Sequence, residues 1–137
     1  MEPICRIKEI YKALYQFEKA FAERHGITIN EAMLLCCLKQ GGARTAGTLC
    51  DFVGLSGPRV SKVITTVERK GYLHRTISPQ DRRQMLFSLT ELGAEKIRQM
   101  QHETLLGFDK LFAQLKAFVV TEQDPESENQ SHNHTNP

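Results

Sequence analysis

Between Leu55 and Thr90 the chain carries Arg59, Lys62, Arg69, Lys70, Arg75, Arg82 and Arg83 against only Glu68 and Asp81, a local excess of five positive charges. The whole chain has a formal charge of +2, so the rest of it stands at −3. A basic surface on a nearly neutral protein is the footprint of a polyanion partner. The neighbouring residue types suit duplex DNA: hydroxyl and small side chains permit close backbone approach, and Arg and Lys reach guanine edges and phosphates. Other chemistry lacks its residues. There is no phosphate-cradling Gly-rich loop, no zincin or P-loop pattern and no nucleophile–base set, so the sequence does not read as an enzyme. Cys5, Cys36, Cys37 and Cys50 form no C-x-x-C pair, and three of them fall inside apolar helical patterns, so they read as small buried hydrophobes rather than metal ligands. His132 and His134 lie in a polar tail and make a poor metal site. Neither a metal nor a cofactor is expected.

The elements that must position these charges follow from periodicity. Ser56 is a cap, and Val60, Val63, Ile64 and Val67 recur at i, i+3, i+4 and i+7, which turns one helical face to a core. Pro58, Lys62, Thr65 and Arg69 then share the opposite stripe, flanked by Arg59, Ser61 and Thr66. Before this helix, Thr45 caps a shorter one with Ala46, Leu49, Cys50 and Val53 at the same spacing, ended by Gly54; the two form a helix-turn-helix. Thr28 and Glu31 have the spacing of a reciprocal capping box for a helix that is apolar almost all round. After Gly71, Tyr72 to Ser78 and Met85 to Leu89 read as two strands joined by a polar tip that holds Asp81, Arg82 and Arg83. A helix-turn-helix followed by such a hairpin is a winged helix. Arg82 and Arg83 would reach a minor groove or flanking phosphates, with Asp81 holding the Arg83 guanidinium in a bidentate contact.

Long helices flank this unit. From Pro3 to Arg24, Ile7, Ile10, Leu14, Phe17 and Phe21 form a heptad seam. From Glu91 to about Phe118, capped by Thr90, Ile97, Met100, Thr104, Phe108, Leu111, Leu115 and Phe118 form a second stripe, with Gly107 as a candidate bend. A small winged helix cannot cover so long a stripe, so a partner subunit is expected. Two-fold pairing would set two recognition helices about one turn of duplex apart. The fold class is thus mainly α with a small β-hairpin: a winged helix-turn-helix DNA-binding lobe at 28–90, flanked by dimerisation helices at about 3–25 and 91–119. Residues 1–120 make one domain, and 121–137, with four acids and no base, read as a disordered acidic tail. No apolar run is long enough to span a bilayer and the N-terminus has no signal-peptide core, so a cytoplasmic location is expected, with no membrane partner.

The run LSGPRVSKVITTVERKGYLHRTISPQDRRQMLFSLTELG resembles the recognition helix and wing of the MarR (multiple-antibiotic-resistance regulator) family. It shares the L-S start, V-x-x-V-I-x-x-V-E-R-K-G-Y-L, the wing D-R-R and the S-L-T-E-L-G that opens the next helix. The resemblance covers about Ile4 to Phe118, more weakly outside this run. It implies a homodimeric transcriptional regulator, usually a repressor, on a pseudo-palindromic double-stranded operator. Ser56, Gly57, Pro58, Arg59, Ser61 and Lys62 then fall in the base-reading segment, with Arg83 as the wing arginine and Asp81 its orienting acid. Thr65, Arg69, Arg75 and Arg82 complete the DNA-binding set. Gly57 and Pro58 depart from the usual longer polar residues. Residues after Val120 match nothing in the family's final helix, so the dimer is expected to rest on the first and last helices. The resemblance also implies relief by a small phenolic or aromatic ligand or, as in one branch of the family, by oxidation of a cysteine near the start of the first helix, where Cys5 lies. The competing class is a winged-helix protein–protein module with no sequence-specific DNA binding.

Overall fold

The computed structural model describes the backbone of residues 2–133 and the side chains within that span, apart from those of 104–106 and those after 118. Five helices and one hairpin follow in order: α1 (Pro3–His25), α2 (Ile29–Gly41), α3 (Ala46–Val53), α4 (Gly57–Arg69), β1 (Leu73–Ile77), β2 (Met85–Leu89) and α5 (Glu91–Asn133). The tail expected at 121–137 falls outside the residues whose side chains are described. Contacts divide the chain into two units: residues 21–103, and residues 1–20 with 104–137. Helices α1 and α5 each contribute to both.

In the unit of residues 21–103, apolar spacing and caps fix the helices. Val60, Ile64 and Val67 of α4 are 1%, 3% and 0% exposed, and with Leu34, Leu35, Leu49, Leu73, Phe87 and Ile97 they form the core. Thr28 Oγ1 accepts from the Glu31 amide at 3.1 Å, and Thr45 Oγ1 accepts from the Thr48 amide at 3.3 Å. The capping box at Thr28 is used only by half. The Glu31 side chain is buried and takes Lys70 Nζ at 2.9 Å, while the same ammonium donates to the Gly26 carbonyl at 3.0 Å. An ion pair that ties α2 to the end of α4 replaces the reciprocal cap, because a carboxylate this buried requires a cation. Lys70, one of the seven basic residues of the central stretch, is therefore committed to a partner within the chain.

The hairpin pairs antiparallel from Leu73 opposite Leu89 to Ile77 opposite Met85. The expected first strand thus loses Tyr72 and Ser78, which turn the chain at either end. A third strand of a single residue extends the sheet: the Arg44 amide donates to the Phe87 carbonyl at 2.9 Å, and the Phe87 amide donates back to Arg44 at 2.8 Å. The root of the hairpin is tight. Gly71 takes φ +83, the Thr90 hydroxyl donates to the Gly71 carbonyl at 2.6 Å, and Thr90 Oγ1 in turn accepts from the Gly93 amide at 3.0 Å. A Cβ on Gly93 would overlap the Tyr72 carbonyl oxygen. The K-G-Y-L and L-T-E-L-G motifs are thus two sides of one junction.

In the unit of residues 1–20 and 104–137, the expected seam is partly turned inward. The Phe17 and Phe108 rings lie 5.0 Å apart, Phe108 and Phe112 6.1 Å apart, and Leu111 is buried. The Arg6 guanidinium donates to the Phe118 carbonyl at 3.1 Å. The stripe left uncovered shares only Ile7 with that seam. Ile4, Ile7, Tyr11 and Tyr15, stepping by 3, 4 and 4, are 80%, 52%, 70% and 65% exposed, and Phe112 is 60% exposed. Among the described residues, no helix is long and apolar enough to cross a membrane.

Candidate nucleic-acid interface

Helix α4 presents the stripe expected of it. Ser56, Gly57, Pro58, Arg59, Ser61, Lys62, Thr65 and Arg69 are all exposed, opposite the buried Val60, Ile64 and Val67. Ser61, Lys62, Thr65, Thr66 and Arg69 line a shallow open depression of about 290 Å³. Two hydroxyls are already committed as donors. Thr65 Oγ1 donates to the Ser61 carbonyl at 2.9 Å and Thr66 Oγ1 to the Lys62 carbonyl at 3.0 Å, so each offers a ligand lone pairs rather than a proton. Ser56 occupies the cap position but makes no side-chain cap bond. Pro58 lacks the amide that a cap hydroxyl commonly binds at the second helical position, which leaves the Ser56 hydroxyl uncommitted at the positive end of the helix dipole.

The wing tip is built by two short side chains. Ser78 is buried, and its Oγ accepts from the Gln80 and Asp81 amides, each at 3.3 Å. Asp81 Oδ1 accepts from the Arg83 amide at 3.0 Å. The expected bidentate Asp81–Arg83 contact is not made: Arg83 Nε reaches Oδ1 alone, at 3.4 Å, and the Arg83 side chain is 93% exposed. One carboxylate oxygen already holds the backbone turn, so Asp81 shapes the tip more than it grips the guanidinium. Arg82 is exposed beside it.

Arg75 behaves differently from the other expected contacts. Its Nε and NH2 donate to the two Glu68 carboxylate oxygens at 2.7 and 2.8 Å, and its Cζ sits 5.4 Å from the Phe87 ring centroid. These hydrogen bonds hold the Glu68 carboxyl below its ordinary pKa. Glu68 stood out in the sequence as the lone acid on α4; its cation lies across the turn on β1, at a spacing that no within-helix rule reports. Arg44 also went unread, since a one-residue strand has no period.

Cys5 is exposed in the first turn of α1, Cys37 is buried and Cys36 and Cys50 are half-buried. Burial pushes the Cys36 and Cys37 thiols up in pKa. Among the described residues, no three His, Cys, Asp or Glu side chains gather as a metal site would need.

Residues 27–85 match the model of the MarR family. Over that segment the chain is similar to the MarR family. Its relatives include an HTH-type transcriptional regulator, YdcH of Bacillus subtilis, 37% identical over 82 residues, which are 58% of this chain and 56% of that protein. The chain spans about half the length of the curated relatives it matches. Among solved structures, Bordetella bronchiseptica BpsR, whose DNA binding is regulated by 6-hydroxynicotinic acid, superposes with a TM-score of 0.75 at 18% identity, covering 91% of this chain and 93% of that one. A mutant MarR from E. coli complexed with operator DNA gives 0.70 at 18% identity, covering 83% and 90%. At that identity the likeness is one of MarR fold.

Proposed function

We propose that this chain is a MarR-family regulator of transcription that binds a pseudo-palindromic DNA duplex sequence-specifically as a homodimer and represses from it. The observation that carries the reading is the set of exposed cations on one helix and one hairpin tip: Arg59, Lys62 and Arg69 on α4, and Arg82 and Arg83 on the wing. In this reading α4 enters a major groove, Lys62 and Arg59 meet base edges or phosphates, and the wing arginines reach the flanking backbone. The bare backbone at Gly57 lets the helix start approach closely. The stripe of Ile4, Ile7, Tyr11 and Tyr15 is covered by a second copy, which supplies the other half-site. Relief comes from a small aromatic ligand, the chemistry by which BpsR is regulated, or from oxidation of the exposed Cys5. The basic face has no role in catalysis.

The test is a binding titration at several salt concentrations, with a duplex selected by the protein from a randomised library set against a random duplex. Tight binding of the selected duplex that weakens steeply with salt, and weakens further in Arg83→Ala and Lys62→Ala while the dimer persists, supports the reading. Failure to select any duplex refutes it and leaves the basic face as a dock for an acidic protein.

A further inference from the structure

The Glu68–Arg75 pair lies beside the expected DNA contacts, yet it points along the protein. Arg75 sits in the middle of β1, opposite Phe87 in the register. One guanidinium therefore touches three elements: it belongs to β1, it forks onto the Glu68 carboxylate of α4 through two short bonds, and it covers the Phe87 ring of β2. Phe87 is itself buried and bound through its backbone to Arg44, so the clasp ends on a fixed point. We propose that this clasp sets the pitch of the wing against the recognition helix, and that Arg75 is a positioning residue rather than a DNA contact. The proposal rests on the DNA-binding reading above and refines it.

Leverage gives the clasp its effect. The hairpin is rooted at Gly71, Tyr72 and Leu73, where the last of these is buried, whereas Ile77 at the far end of β1 is 59% exposed. Four residues of strand separate Leu73 from Ile77, about 13 Å at 3.3 Å per residue. A tilt of about 10° at the root displaces the strand end by about 2 Å, several times the tolerance of a preorganised binding site. Backbone bonds at the root oppose such a tilt only near its pivot. The Glu68–Arg75 contact acts further out, where its lever is longer. Its planar two-point geometry fixes orientation as well as distance, which an ammonium cannot do.

The sign of one substitution separates a clasp from a contact. If Arg75 met phosphate and Glu68 merely restrained it, Glu68→Gln would free a cation and remove an acid, and duplex affinity would rise. If the pair is a clasp, Glu68→Gln lowers affinity for the selected duplex although the net charge becomes more favourable. We expect Glu68→Gln and Arg75→Gln each to weaken the selected duplex about tenfold, with the double variant no worse than either alone, and binding to random duplex little changed. Arg75→Lys keeps the charge and should fail to rescue. Without DNA, amide hydrogen exchange in 73–77 and 85–89 should quicken in Glu68→Gln while the rest of the full-length chain is unchanged. Stronger binding by Glu68→Gln, rescue by Arg75→Lys, or unaltered hairpin exchange would each overturn the proposal. If the wild-type chain selects no duplex and Arg83→Ala alters nothing, the reading as a regulator fails instead, and the exchange measurement then decides the clasp by itself.

Discussion

Gly93→Ala and Gly107→Ala are the same substitution in the same helix, and the structure gives them opposite signs. Helix propensity alone favours Ala over Gly by about 1 kcal/mol in a helix interior. At Gly107 nothing opposes this gain, since the new Cβ would lie 3.8 Å from Phe17 Cε2, an ordinary contact. At Gly93 the Cβ would overlap the Tyr72 carbonyl oxygen and sit 3.0 Å from Leu89 Cδ2. The carbonyl cannot rotate away, because it is backbone and accepts from the Thr90 amide at 3.2 Å. Overpacking of this kind costs about 1–3 kcal/mol, and a fixed partner places the cost near the upper end. Against the propensity gain, Gly93→Ala should lose about 2 kcal/mol net while Gly107→Ala gains up to about 1 kcal/mol. Urea unfolding followed by circular dichroism reads both, and with a slope of about 2 kcal/mol per molar the Gly93 variant shifts its midpoint down by about 1 M. A Gly93→Ala protein as stable as wild type would refute the tight-junction argument, and a common sign for both variants would show that propensity governs them. Because the displaced carbonyl lies at the hairpin root, the Gly93 variant should also weaken duplex binding beyond what its stability explains.

Lys70→Met should destabilise by about 1–3 kcal/mol, since it strips the buried Glu31 carboxylate of its cation, and Glu31→Gln in the same chain should recover most of that loss; equal denaturation midpoints for wild type and Lys70→Met would sink the idea. His25 is buried against Phe21 at 4.6 Å between ring centroids, its Nε2 has no partner, and Nδ1 lies 3.9 Å from Glu103. Burial lowers its pKa from 6.5, with Arg24 and Lys96 in support and Glu103 opposing, so the unfolded chain takes up the proton first. Stability should therefore hold above pH 6.5 and fall as the pH drops through that value toward the folded pKa, and His25→Phe should flatten this part of the profile; an unchanged profile would exclude His25 as its source. Nothing lies within 4 Å of a Cβ built on Gly57, so Gly57→Ala should leave the midpoint unchanged or slightly raised. The same change should weaken duplex binding, and undiminished affinity would show that the helix start does not approach the DNA.

Much of this could be read from the residues. The 3- and 4-residue steps of Val60, Ile64 and Val67 placed the buried face of α4, and therefore its exposed basic stripe. Thr28, Thr45 and Thr90 marked three helix starts because a β-region hydroxyl before an apolar run has few other uses. What escaped were pairings across elements. Glu31 at three residues from Thr28 has a local partner on paper, yet Lys70, 39 residues on, outcompetes it because burial penalises an unpaired carboxylate more than a lost cap. Arg75 read as one more cation in a basic run, and only the turn at Gly71 brings Glu68 to it. The heptad seam of α1 was legible as apolar, but periodicity could not say which neighbour covers it; Phe17 meets Phe108 of its own chain, and a stripe from Ile4 to Tyr15, which shares Ile7 with the seam, is the one left open.

The two internal ion pairs change the number of counterions that duplex binding can release. Of the seven cations in the central stretch, Lys70 is neutralised by Glu31 and Arg75 by Glu68, which leaves Arg59, Lys62, Arg69, Arg82 and Arg83 facing outward. Each phosphate neutralised releases about 0.9 of a condensed cation from B-form DNA, so five arginines and lysines per protomer cap the slope of log affinity against log salt at about −4.5, or about −9 for a pair. A steeper slope than this would mean that cations outside the winged helix touch the duplex. A much shallower one would mean that part of the exposed set reads base edges, where no counterion is displaced.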